Sequence, residues 1–294
     1  MDSTTYRCFA PCPRGLEALL LQELTTLGAA DLRQTEGGVG FSGALAVLYR
    51  ANLESRIASR ILLEVAHVPY RNEQDIYVAA CAIPWPQWFP PSRTIKVKTS
   101  AQHCPLKSLD FVTLRIKDAV CDTFTRLKGA RPSVNSSRPD IRIDAFLDAT
   151  HLTLYLGTTG DSLFKRGFRQ STVDAPLREN LAAGIVQLTG WNGTTPLLDP
   201  LCGGGTIPLE AAMIARHIPP GLGRRRGVGV LGGAADLAGA EARVQGLIQE
   251  RQRLAHRGVK FRAHGQQGRH GCGQGVARAH ERGLETLELL AGDR

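Results

Sequence analysis

The chain has 294 residues, 43% of them hydrophobic and 21% charged, enough to bury the cores of two domains. It holds no apolar run of the ~18 residues a membrane helix needs and does not open on a basic stretch followed by an apolar one, so neither a spanning segment nor an export signal is expected. Its seven cysteines are scattered, odd in number and free of Cys-x-x-Cys pairs, which argues against a disulfide framework or a structural zinc site and for a reducing, cytoplasmic setting, while the net charge of +9 invites a nucleic-acid partner.

Residues 13–27 predict the first helix: Pro13 suits a first turn, Leu16, Leu19, Leu20, Leu24 and Leu27 share one face, and Gly28 ends it. Residues 37–43 read as a short strand between turns, Leu45, Leu48, Tyr49 and Leu53 mark a second helix, and residues 61–65 a compact apolar strand. This alternation suits a small α+β, ferredoxin-like unit over residues 1–65. A short helix then runs from Asp75 to Trp85 and Trp88, whose apolar neighbours place both indoles in a core. Along residues 94–99, Ile95 and Val97 alternate with Lys96 and Lys98, as in a strand with one buried face. Residues 109–124 carry the clearest amphipathic stripe, Leu109, Val112, Ile116, Ala119, Val120 and Phe124. Strands follow at residues 141–147 and 152–156, and the turn-rich residues 157–162 close a second unit spanning 66–157.

Beyond that boundary, residues 197–215 read as a buried strand ending at Asp199-Pro200, a loop Gly203-Gly204-Gly205, and a helix. Glycines let a backbone approach a ligand closely, and the helix that follows aims its free N–H groups and positive dipole end at it. The spacing is neither the dinucleotide fingerprint nor a phosphate loop with Gly-Lys-Ser/Thr. Asp199 has two readings, a residue that positions a cofactor through the loop or a turn aspartate. Thr206 is a candidate cap for the helix, and Glu210 occupies a first turn where the dipole favours an acid whatever the function. No histidine is recognisably paired with Cys202 in the sequence, and it reads as a small residue rather than a nucleophile. No metal site is proposed, because the histidines show no ligand spacing of the zinc-enzyme kind.

The residues Lys165-Arg166-Gly167-Phe168-Arg169, Ala175-Pro176-Leu177-Arg178-Glu179-Asn180-Leu181-Ala182-Ala183, Trp191, Asp199-Pro200-Leu201-Cys202-Gly203-Gly204-Gly205-Thr206 and Glu210-Ala211-Ala212 follow one another in a specific order. In that order the chain resembles the THUMP-domain class I methyltransferases that modify guanine N2 in large-subunit ribosomal RNA. Lys117-Asp118-Ala119-Val120, Arg131-Pro132 and Pro139-Asp140-Ile141 match the usual wording of the THUMP half. The family has Ser where this chain has Gly204. The resemblance implies an α+β, ferredoxin-like and THUMP module followed by a Rossmann-like methyltransferase domain from residue 163. It implies S-adenosyl-L-methionine held by Asp199, Gly203, Gly205 and Thr206, and large-subunit rRNA as partner, with no membrane involved. Lys96 and Lys98 become candidate RNA contacts, and so do Lys165, Arg166 and Arg169 beside Phe168, since cations hold phosphates while an aromatic stacks on a base.

The resemblance fades after about residue 224. Of the aromatic residues only Phe261 follows Trp191, and residues 221–283 carry eleven arginines and one lysine against four acids, which is +8 of the net charge. Such composition buries little apolar surface, so residues 225–278 are expected to be aberrant: read out of frame, or a genuine basic insertion. Where the family has an acid for the cofactor ribose, the chain reads His264-Gly265-Gln266-Gln267, and no Asn-Pro-Pro-Tyr occurs. Without that acceptor and stacking platform the target nitrogen has no alignment. The expected function is therefore guanine-N2 methylation of large-subunit rRNA by descent, with this chain inactive; the alternative is a non-catalytic RNA-binding fragment.

Overall fold

The computed structural model describes residues 4–167, 177–222 and 224. The first unit runs β1 (Tyr6–Pro11), α1 (Glu17–Thr26), β2 (Ala30–Thr35), β3 (Gly38–Gly43), α2 (Leu45–Glu54) and β4 (Leu62–Pro69). The second runs α3 (Glu73–Ala82), α4 (Trp85–Trp88), β5 (Ile95–Ala101), α5 (Leu109–Lys128), β6 (Ile141–Leu147) and β7 (His151–Gly157). All seven strands form a single sheet in the order β2-β3-β1-β4-β7-β6-β5, antiparallel throughout except for the parallel pair β5 and β6. The first four strands have the ferredoxin-like order expected of them. The boundary at residues 65 and 66 falls inside β4, which pairs with β1 on one edge and β7 on the other.

The helix layer follows from local chemistry. Ser108 caps α5 by accepting from the Phe111 N–H at 3.2 Å, and Gly129, at a φ of 64°, closes its far end. Asn72 caps α3 by accepting from the Gln74 and Asp75 N–H groups. The α5 stripe of Val112, Ile116, Ala119, Val120 and Phe124 is fully buried, and so are Leu20, Leu24 and Leu48 of the first unit. Against them the sheet presents Cys8, Ala10, Val39, Phe41, Leu63, Leu152, Leu154, Leu156, Ile143 and Ala145, so that both units share one core. Trp85 is buried as expected, its indole N–H donating to the Ala80 carbonyl at 2.8 Å. Glu17 joins α1 to the β2–β3 turn by accepting from the Gly15 and Gly37 N–H groups, and these bonds hold its carboxyl below the ordinary range. Among the described residues no helix is long and apolar enough to cross a membrane.

Two expectations are corrected, and two strands stand outside them. Pro13 precedes the first helix, and its carbonyl accepts from the Leu16 N–H in a turn that leads into α1. Strands β1 and β2 escape a reading by alternation, because β1 buries only the small Cys8 and Ala10 and edge strand β2 buries none of its residues. Residues 197–199, expected as a buried strand, have no strand pairing, and Leu198 is 68% exposed. A central parallel strand is stable only when neighbours satisfy both its edges and cover both its faces, and no such neighbours occur among the described residues.

The shared core generates a test of cooperativity. Leu154→Ala, in β7, is expected to cost about 2–5 kcal/mol. In urea titrations, α5 and the β1–β3 segment should then lose hydrogen-exchange protection together, whereas separate transitions would show two independent cores.

Candidate functional site

After β7 the chain returns to the first unit and docks on residues 52–61, the end of α2 and the connection into β4. Two helices make this docked segment, α6 (Glu179–Leu188) and α7 (Thr206–Ala215). At its centre lies Arg166, 2% exposed. Its Nε donates to Glu210 Oε1 at 3.1 Å, its Nη1 to the Leu163 carbonyl at 2.7 Å, and its Nη2 to the Arg56 carbonyl at 2.8 Å. Glu210 is itself fully buried; burial pushes its carboxyl above the ordinary range, and the Arg166 charge opposes that shift.

Around this pair the two parts exchange further bonds. Arg56 donates to the Met213 and Ile218 carbonyls at 3.1 and 2.7 Å, at the exit of α7. Asn180 of α6 donates to the Ile57 carbonyl and Ser59 Oγ at 3.2 and 3.1 Å. Glu23 of α1 accepts from Ser55 Oγ, the Arg56 and Ile57 N–H groups and the Gln187 amide of α6. Arg224 donates to the Asn52, Thr159 and Asp161 carbonyls, and burial, then the neighbouring Arg166 charge, pulls its guanidinium down to about 10. Apolar contact supports these bonds: a Cβ at Gly184 of α6 would meet Leu16 Cδ1 at 2.4 Å, so a larger residue there requires Leu16 to shift.

The glycine loop lies on the far side of α7. Gly203 and Gly205 have φ of 50° and 73°, the left-handed region that favours glycine, and nothing lies within 4 Å of a Cβ built on Gly205. Gly205 is the N-cap of α7 and offers no side chain, so Thr206 is the first helical residue rather than the cap. Asp199 accepts from the Leu201 N–H at 3.1 Å, an Asx turn at the loop's entrance. Leu201 is 90% exposed. Behind the loop a groove of about 310 Å³ is lined by Val186, Trp191, Leu197, Asp199 and Ile207. Trp191 stands half-buried at this groove with its indole N–H on the Thr195 carbonyl at 2.8 Å.

The expected site residues therefore separate. Asp199, Gly203, Gly205 and Thr206 come together at the start of α7. Lys96 and Lys98 lie on edge strand β5, Lys96 donating to the Ser136 carbonyl at 2.6 Å. Lys165 stays on the surface, 3.9 Å from Asp161. Arg166, expected at RNA, is instead enclosed at the docking surface, and Arg169 lies outside the described residues. Residues 225–278, including His264 to Gln267, also lie outside them. Arg56, Glu23 and Gln187 were not singled out from the sequence, because each is an ordinary polar residue on a helix or loop until the docked segment covers it.

Comparison with known proteins places these parts. The model of the RlmL ferredoxin-like domain matches residues 7–62, that of the THUMP domain residues 70–157, and that of the RMKL-like methyltransferase domain residues 166–267. The last match runs into the Arg- and Gly-rich stretch, further than the resemblance read from the residues. The chain is 44% identical over 218 residues to the ribosomal RNA large subunit methyltransferase K/L of Aeromonas salmonicida (strain A449), and equally to that of Aeromonas hydrophila subsp. hydrophila. The matched part is 74% of this chain and 30% of either relative, so the chain spans about a third of their length. Among solved structures, SMU.472 complexed with SAH is 27% identical with a TM-score of 0.76, over 91% of this chain and 70% of that one. A predicted N6-adenine-specific DNA methylase from Listeria monocytogenes str. 4b F2365 is 28% identical with a TM-score of 0.75, over 88% of this chain and 67% of that one.

Two outcomes follow from the docking geometry. Arg166→Ala leaves Glu210 buried without its partner and is expected to cost about 3–5 kcal/mol; limited trypsin digestion should then cut within residues 177–222 while β1–β7 survive. Resistance equal to that of the unaltered chain would show that the pair does not hold the segment. Burial also raises the carboxyl of Glu23. The folded chain then keeps a proton that the unfolded chain has released, so stability falls as pH rises from about 4.3, the ordinary Glu value, through the folded value. Glu23→Gln should remove that part of the slope in urea titrations.

Proposed function

We propose, for a chain that belongs to the THUMP-domain methyltransferase family, that it is the RNA-recruiting part of a large-subunit rRNA methyltransferase, with the target nitrogen guanine N2 and the cofactor S-adenosyl-L-methionine. The observation that carries this reading is the continuous sheet of β1–β7 with the methyltransferase segment docked on it through Arg56 and Arg166. A module that binds RNA and is rigidly joined to the start of a cofactor-binding domain brings a nucleotide and a methyl donor into a fixed relation. The SAH bound by SMU.472 and the names of the Aeromonas relatives support the cofactor and the RNA class.

The described residues fit one edge of that cofactor only. Gly203 and Gly205 give an open backbone at the start of α7, and Asp199 shapes the loop, while among the described residues no strand neighbours fix the position of residues 197–199. The sequence contains no Asn-Pro-Pro-Tyr. The chain on its own accordingly binds rRNA and transfers no methyl group.

Three measurements on the purified chain check this. Filter binding should retain naked large-subunit rRNA. Titration calorimetry with S-adenosyl-L-methionine should give no heat of binding at micromolar concentrations, and tritiated cofactor should leave no label on the RNA. Micromolar cofactor affinity would overturn the incomplete site, label on the RNA would overturn inactivity, and failure to retain rRNA would overturn the reading as a whole.

A further inference from the structure

The sheet has a second face. Strand alternation sends Cys8, Leu63, Ile143 and Leu154 into the helix layer, and sends their neighbours the other way. The register sets those neighbours in rows. Lys98, Asp144, Tyr155 and Glu64 lie side by side across β5, β6, β7 and β4, and Ser100, Phe146, Thr153 and His67 form the adjacent row. Lys96 stands beside Arg142, and Phe9 of β1 pairs with Leu62 on one side and Gly40 on the other. Phe9, Phe146 and Tyr155 are half-buried, with the Phe9 and Tyr155 ring centroids 6.2 Å apart, and Lys98 and Ser100 are exposed.

Charge on this face is net positive among the described residues. Arg7, Lys96, Lys98 and Arg142 lie on it against the carboxylates of Glu64 and Asp144 in those rows, while at its rim Arg60 stands near Asp161. Glu64 is held by Arg7 at 3.2 Å. Burial raises the Asp144 carboxyl, and Arg142, Arg60 and Lys98 draw it back. An apolar protein partner would find little here, since Leu62 is the one aliphatic residue in those rows. A polyanion with flat rings would find both cations and stacking planes.

We infer that this face binds an unpaired RNA segment, with bases stacked on Phe9, Phe146 and Tyr155 and phosphates held by Lys96, Lys98 and Arg142. The inference rests on the RNA reading above and adds where the RNA lies and in what form. A duplex keeps its bases stacked on one another and offers a flat sheet only its backbone, whereas a single strand can splay its bases onto aromatic side chains.

Fluorescence anisotropy of the full chain, with a labelled oligouridylate of about 12 nucleotides and a duplex of the same length, tests this. Lys96→Ala with Lys98→Ala should weaken oligouridylate binding and lower its salt dependence, as loss of phosphate contacts requires. Phe146→Ala should weaken it about ten-fold, the loss of one stacked base, with the salt dependence unchanged. The control pair Lys107→Ala with Lys128→Ala, exposed on the helix side, should change affinity less than two-fold, roughly the scatter of nonspecific charge effects. Ultraviolet crosslinking of the unaltered chain needs no variant to fold, and should label peptides from β1, β6 or β7. Equal losses from the two lysine pairs, duplex binding as tight as oligouridylate binding, or crosslinks confined to the helix layer would overturn the face while leaving RNA binding intact. Binding of neither oligonucleotide would also overturn the face; if rRNA is still retained on filters, the reading of the chain as an RNA binder stands.

Discussion

Everything in this structure hangs on the stretch from Asn52 to Pro69. Its last part is β4, the strand that pairs with β1 on one edge and β7 on the other and so makes one sheet of two units. Its first part, residues 52–61, is where the docked segment is fastened. The Ile61 N–H donates to Thr159 Oγ1 at 2.7 Å, and Asn52 donates to Thr158 Oγ1 at 3.0 Å. The exit from β7 is thereby tied to the entry of β4 by buried bonds, and the chain that follows has little freedom in where it can go. A single connection, placed before the central strand, sets the geometry of both neighbours at once.

The fastening is polar, which is an expensive way to build an interface. Burying Arg166 and Glu210 removes two charges from water, and such pairs repay that cost only when their remaining donors are also satisfied. Here the guanidinium is directed by three partners, a carboxylate and two carbonyls in different segments. Planarity makes such a fork sensitive to direction as well as distance. An apolar patch of the same area would attract α6 and α7 in many orientations, while a fork on fixed carbonyls accepts one. That selectivity suits a joint whose purpose is to hold a loop at a set place relative to a sheet.

The sequence made the helical stripes and the apolar strands legible, because burial on one face writes a period into the residues. The stripe Val112, Ile116, Val120 and Phe124 is the helix side of the core, and Ile141 to Leu147 alternates as β6 does. Small inward residues hid β1, and an edge position hid β2. The joint was legible only as an ordered set of residues shared with a family, for nothing in Lys165-Arg166-Gly167 says whether the arginine faces solvent or a buried glutamate. Surface cations and buried cations are the same letters, and only the partner tells them apart. Hence Arg166 passed for an RNA contact, while Glu210, placed by dipole arguments alone, turned out to be its counter-charge. The loop glycines were legible for a different reason: positive φ demands them locally.

The division of charge across the molecule follows from the same topology. One face of the sheet is consumed by the helix layer and carries mainly apolar side chains. The docked segment uses one end of the first unit and draws Arg56, Arg166 and Arg224 inward, where their charges serve internal carbonyls. The other sheet face is free of the helix layer, and there the strands alternate cations with rings because their opposite positions are committed to the core. A strand has only two sides, so once Ile95 and Ile143 fix the inward set, Lys96 and Arg142 are fixed outward with them. A one-residue slip of β5 would bury both lysines and expose the isoleucine, which core packing forbids. The register that builds the fold therefore also places the cations beside the rings.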